Sequence, residues 1–97
     1  MQIHVDGPAY DHKKFKPYRL IGLWLKAIKK VHPNESIFRN FHYEYEKDRL
    51  AFDLINGGPS LKNWIEDSTA TAADFDQRLL KEEALWLKER ESVLIYP

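Results

Sequence analysis

An α+β fold is predicted for this 97-residue chain by three features. Two long stretches carry helical periodicity. Short alternating or β-branched runs lie near both ends and in the middle, and sharp Gly/Pro breaks separate them. Helices are expected near 17–31 and 72–91, with a short one near 60–66. They would cover a small, mostly antiparallel or mixed sheet built from 2–5, 41–46 and 93–96. Residues 50–54 are either a further strand or a short helix, because a brief apolar run fits both periods.

Gln2-Ile3-His4-Val5 reads as a strand that Asp6-Gly7-Pro8 ends abruptly. A strand with almost no lead-in is expected of a domain cut from a larger chain, since terminal residues otherwise fray. Residues 9–16 form a basic loop pinned by Tyr10 and Phe15, or else a rim for an anionic or sugar ligand. Pro17 suits the first position of a helix, where its missing N–H has no partner to lose. Leu20, Ile21, Trp24, Ala27, Ile28 and Val31 follow at helical spacing as the expected core stripe, with Lys26, Lys29 and Lys30 outside. Pro33 ends that helix and holds His32 out of the α region.

Ile37 and Phe38 should tuck beneath the fold. In the strand 41–46, side chains two apart share a face, so Phe41, Tyr43 and Tyr45 oppose His42, Glu44 and Glu46. The aromatic face reads as core and the His-Glu-Glu face as solvent or a site. Asp53, between Phe52 and Leu54, caps something, pairs with a base or faces a site. Asn56-Gly57-Gly58-Pro59 breaks the chain before the short helix, whose stripe is Leu61, Trp64 and Ile65. Thr71-x-x-Asp74 resembles a capping box for the last helix, with Phe75, Leu79, Trp86 and Val93 on its inner arc and Leu80 and Leu87 beside it. Val93-Leu94-Ile95-Tyr96 is expected to close the sheet.

The totals narrow the function classes. With 43% hydrophobic and 13% aromatic residues, the chain is a globular domain long enough to bury a core. Fifteen basic residues balance fifteen acidic ones, which argues against nucleic acid. The halves differ: residues 1–49 hold ten basic and six acidic groups, and 50–97 hold five and nine. No apolar run approaches the roughly 18 residues of a membrane span. MQIHVDG has neither the basic nor the apolar region of an export signal, so any such signal is expected upstream. Cys is absent, which excludes disulfides and thiolate ligands and leaves the compartment open.

Catalytic patterns are sparse. Glu44 and Glu46 lie about 7 Å apart along one strand face. That overlaps the spacing of inverting glycosidase carboxylates, but an acid–base pair must flank its substrate in unequal environments. His42, Glu44 and Glu46, with His4 or His12, do not converge as metal ligands from i, i+2 positions, so no metal and no cofactor are expected. Gly57-Gly58-Pro59-Ser60 is better read as a turn and helix start than as an anion nest.

Several segments, in order, resemble the C-terminal domain of the exo-acting β-N-acetylmuramidases, a family once known only as a domain of unknown function. These are Gln2 to Val5, Phe15-Lys16-Pro17, Tyr43-Glu44-Tyr45, Asp53-Leu54-Ile55-Asn56-Gly57 and the closing Arg90-Glu91-Ser92-Val93-Leu94-Ile95-Tyr96. The ordered set spans essentially the whole chain. It departs from the family pattern in three places. Asp6-Gly7-Pro8 follows Val5 where Thr-Asp is usual, Val93 replaces a Tyr, and Phe52 stands where Pro-Ile is commoner.

The resemblance implies a two-domain parent acting on peptidoglycan fragments. An N-terminal Rossmann-like domain would carry the catalytic glutamate, and this chain would help to form the cleft for a muropeptide or amino-sugar ligand. The chain alone would then be inactive, within a parent that is exported or periplasmic. His4, Tyr43, Glu44 and Asp53 match the family's motifs and are the residues expected at the cleft or the interdomain contact. Their structural alternatives are a core histidine, a core tyrosine, a solvated glutamate and a helix-capping aspartate. Rival functions are a stand-alone protein-interaction module and a small enzyme using Glu44 and Glu46.

Overall fold

The structure, a computed structural model, describes residues 2–39 and 48–96. Among the described residues four helices form in order: α1 (Pro17–Val31), α2 (Ala51–Asn56), α3 (Ser60–Glu66) and α4 (Ala72–Arg90). A 3₁₀ turn, Glu91–Val93, prolongs α4. No strand occurs among the described residues, so the expected α+β fold gives way to a helical one. Residues 2–6 are irregular and exposed, and 94–96 are exposed and pair with no strand among the described residues. The strand expected at 41–46 lies outside the described residues. The reason for the correction is physical: β propensity is largely a matter of cross-strand packing, so a β-prone run with no adjacent strand has nothing to stabilise it.

The helix boundaries follow local chemistry. Pro17 opens α1, and His32 ends it by donating its N–H to the Ile28 carbonyl. Thr71 Oγ1 accepts from the Asp74 N–H at 3.3 Å, and Asp74 returns the bond to the Thr71 N–H at 2.8 Å. The expected capping box is therefore present. The ambiguous run at 50–54 is helical, because Gly57 at φ +88° closes it. Gly57 N–H reaches the Leu54 carbonyl and Gly58 N–H the Asp53 carbonyl, the paired bonds of a Schellman motif.

Leu61, Trp64, Ile65 and Phe75 are buried together, with Leu23, Leu25, Phe38, Phe52 and Leu79 packed around them. The core thus sits between α1, α3 and the first two turns of α4, with α2 against α3. α1 meets it with an unexpected face. Gly22 is buried, and a Cβ there would stand 2.9 Å from Phe75 Cζ. Arg19, Leu23 and Lys26 flank that contact, while of the expected stripe Leu20, Ile21, Trp24, Ala27 and Val31 lie open and Ile28 alone is half-buried; Trp24 is 44% exposed. A helix apolar on most of its circumference leaves its rotation to its neighbours. Here the flat Phe75 ring selects the one position without a side chain.

Beyond Leu79, α4 leaves the core. At 1.5 Å per residue the helix is about 28 Å long, and Leu80, Leu85, Trp86 and Leu87 are each at least half exposed. The radius of gyration, 16.4 Å, exceeds the approximately 13 Å of a compact 100-residue domain.

Candidate functional site

Of the four residues singled out by motif, Tyr43 and Glu44 lie outside the described residues. His4 sits in the exposed segment before the first turn. Asp53 occupies the first turn of α2, where its charge complements the helix N-terminus. It does not cap α3, whose start has no side-chain cap. Its Oδ1 is buried and accepts no hydrogen bond among the described residues. No bond or ion pair joins His4 to Asp53 among those residues.

What the fold does assemble is a column of rings. Trp64 stacks on Phe75 with centroids 4.4 Å apart, and Tyr18 stacks near the same ring at 5.8 Å. Lys26 Nζ stands 4.5 Å over the Trp64 ring, and the Arg78 guanidinium 5.1 Å from that of Phe75. Tyr18 donates its hydroxyl to Asn56 Oδ1 at 2.6 Å, tying α1 to the end of α2. Desolvation raises the Tyr18 pKa, opposed by the charge of Arg78. Arg19 grips Asp76 on α4 through two bonds of 2.6 and 3.1 Å. That contact holds the Asp76 carboxyl below its usual range.

Two grooves flank the column. The larger, of about 700 Å³, lies between the C-terminal half of α1 and the α3–α4 connection. Leu23, Ala27, Ile65 and Ala70 line its floor, with Lys26, Lys29 and Lys30 along one rim. Lys26 Nζ donates to the Trp64 and Asp67 carbonyls at 2.6 and 2.8 Å, capping the end of α3 from another helix. Partial burial lowers its pKa, tempered by the charges of Asp67 and Asp74. Lys29 similarly donates to the Pro33 and Glu35 carbonyls. The smaller groove, of about 410 Å³, runs along the Arg19–Asp76 pair beside Tyr18 and Leu80.

A third surface is apolar and uncovered. It comprises the distal half of α4 and the residues after it, with Leu80 67%, Trp86 59% and Ile95 84% exposed. Large exposed apolar surface marks interaction sites on folded domains. Among the described residues, no His, Asp and Glu cluster is arranged to hold a metal ion. Nor, among the described residues, is any helix long and apolar enough to cross a membrane.

Periodicity put Lys26 in solvent and missed its capping role, because the carbonyls it caps are 38 and 41 residues away. Gly22 was detectable in principle. A glycine inside a strongly helical run has a cost that close packing can offset. A family model described as "Exo-beta-N-acetylmuramidase NamZ, C-terminal" matches residues 1–96. No curated protein and no solved structure matches the chain.

Proposed function

The chain belongs to the exo-β-N-acetylmuramidase NamZ C-terminal family, and from that premise we propose that it is the accessory domain of a glycosidase acting on peptidoglycan fragments. It docks on a catalytic domain of the same polypeptide and forms one wall of the cleft that receives a terminal N-acetylmuramic acid. The catalytic carboxylate belongs to that other domain. This chain contributes surface, orientation and exclusion of water, which strengthens every polar contact made within a closed cleft.

The observation that carries the reading is the uncovered apolar surface on distal α4. Trp86, Leu85 and Leu87 each leave about half of their surface in water, and covering that half is worth about 1 kcal/mol apiece, half the value of burying such a side chain completely. His4, Tyr43, Glu44 and Asp53 are assigned to the cleft or the interdomain contact on their motif positions alone.

The test uses the full-length enzyme and a chromogenic muramic-acid glycoside. Trp86→Glu and Leu80→Glu, both outside this chain's own core, should each lower kcat/KM at least tenfold. The helical content of the separately produced chain should not change. Turnover by the 97-residue chain alone, or full activity of both variants, would overturn the reading. A reading frame with no catalytic domain would favour the interaction-module alternative.

A further inference from the structure

We propose that Asn56 is a site of spontaneous covalent modification, deamidation through a cyclic imide, and that Tyr18 holds the reaction off while α1 and α2 stay in contact. Asn56-Gly57 is the one place in the chain where glycine follows asparagine. The backbone nitrogen there has no neighbouring side chain to hinder its attack. Gly57 is exposed, and beyond its neighbours in the chain nothing lies within 4 Å of where a Cβ would stand. Water therefore reaches the site.

The reaction needs water and no other reagent. The Gly57 nitrogen gives its proton to solvent and attacks Asn56 Cγ, forming a C–N bond. The Cγ–Nδ2 bond breaks, and the amide nitrogen leaves as ammonia with a proton taken from water. A second water then opens the imide at either carbonyl. One opening gives aspartate, and the other gives isoaspartate, in which the main chain runs through the former side-chain carbons.

In the native fold neither reacting group is free. The carboxamide is held at both ends: Oδ1 accepts the Tyr18 hydroxyl at 2.6 Å, and Nδ2 donates to the Gly58 carbonyl at 3.1 Å. The Gly57 N–H donates into the end of α2, to the Asp53 and Leu54 carbonyls. Ring closure also needs Cβ, Cα, the carbonyl carbon and the Gly57 nitrogen nearly in one plane, which takes Asn56 out of its helical conformation. Attack thus waits for the last turn of α2 to open, a local event that needs no global unfolding. The Tyr18 bond comes from another helix, 38 residues away, and braces that turn. Its hydroxyl is also a donor for the oxyanion of the addition step, but the ring cannot close while the turn it braces is intact. Isoaspartate lengthens the main chain where Gly57 and Gly58 close α2, so the paired capping bonds cannot re-form in register. Each opening of the α1–α2 contact that reacts is therefore made permanent.

The test ages the 97-residue chain in mildly alkaline buffer and follows the tryptic peptide 50–62. Mass spectrometry reads deamidation, and enzymatic methylation reads isoaspartate. The folded chain should react at Asn56 more slowly than the same chain in urea. Tyr18→Phe keeps the ring that stacks near Phe75, and circular dichroism checks its fold. It should speed the reaction roughly fivefold, the gain in open population that losing one hydrogen bond implies. Thr71→Ala weakens the cap of α4 without touching α2 and should leave the rate unchanged. A folded chain that reacts as fast as in urea, or a Tyr18→Phe rate at or below that of the wild type, would overturn the proposal. So would equal acceleration by Thr71→Ala, which would mean that the reaction runs through global unfolding. The proposal does not rest on the accessory-domain reading.

Discussion

Replacing Gly22 by Ala sets two effects of similar size against each other. In the middle of α1, Ala is favoured over Gly by about 1 kcal/mol of helix propensity. The new Cβ, however, would stand 2.9 Å from Phe75 Cζ and 3.1 Å from Cε1. Phe75 is the fully buried ring of the core and stacks with Trp64 at 4.4 Å and Tyr18 at 5.8 Å, so tilting it away disturbs both contacts. Overpacking of this kind costs about 1–3 kcal/mol. Gly22→Ala should therefore leave the domain about 0–2 kcal/mol less stable, each kcal/mol lowering Tm by about 4–8 °C. Phe75→Leu removes the offending ring edge. In that background, although it is itself less stable, the same Gly22→Ala change should stabilise by about 1 kcal/mol. Urea unfolding of the four proteins, followed by tryptophan fluorescence and far-UV circular dichroism, gives the coupling directly, expected at about 1–3 kcal/mol. If Gly22→Ala stabilises equally in both backgrounds, α1 does not meet Phe75 through Gly22 and the packing described here is wrong.

Three further outcomes follow from named contacts. Thr71→Ala removes the hydroxyl that accepts the Asp74 N–H and should cost about 1 kcal/mol in the same urea assay. Gly57→Ala places a Cβ at φ +88° with nothing near enough to clash. The loss should be purely conformational, about 1–2 kcal/mol, and smaller for Gly57→Asn, which tolerates that region. In acid, Asp76 carries a folded-state pKa below its model-compound value of 3.8, set by Arg19. The unfolded chain therefore binds the proton first as pH falls. The stabilisation is complete above pH 3.8 and is lost as pH drops through the lower folded value. Asp76→Asn should flatten the Tm–pH profile in that window; an unchanged slope would mean that Arg19 does not hold Asp76 in solution.

The helix ends were legible in the sequence because they are decided within about four residues. Pro17 and Pro33 bracket α1, Thr71 and Asp74 cap each other, and Gly57 stops α2, each through a bond or a φ restriction that needs no distant partner. Membership of the family was likewise legible from short motifs in order. What only tertiary structure decided was everything that depends on a neighbour. The β-prone runs at 2–5 and 93–96 found no ladder among the described residues, since a strand exists only with its partner. α1 turned Gly22 and Lys26 inward and left Trp24 half in water, because an apolar run on most sides of a helix is compatible with several rotations. The shape of the Phe75 ring and the orphan carbonyls at the end of α3 chose among them.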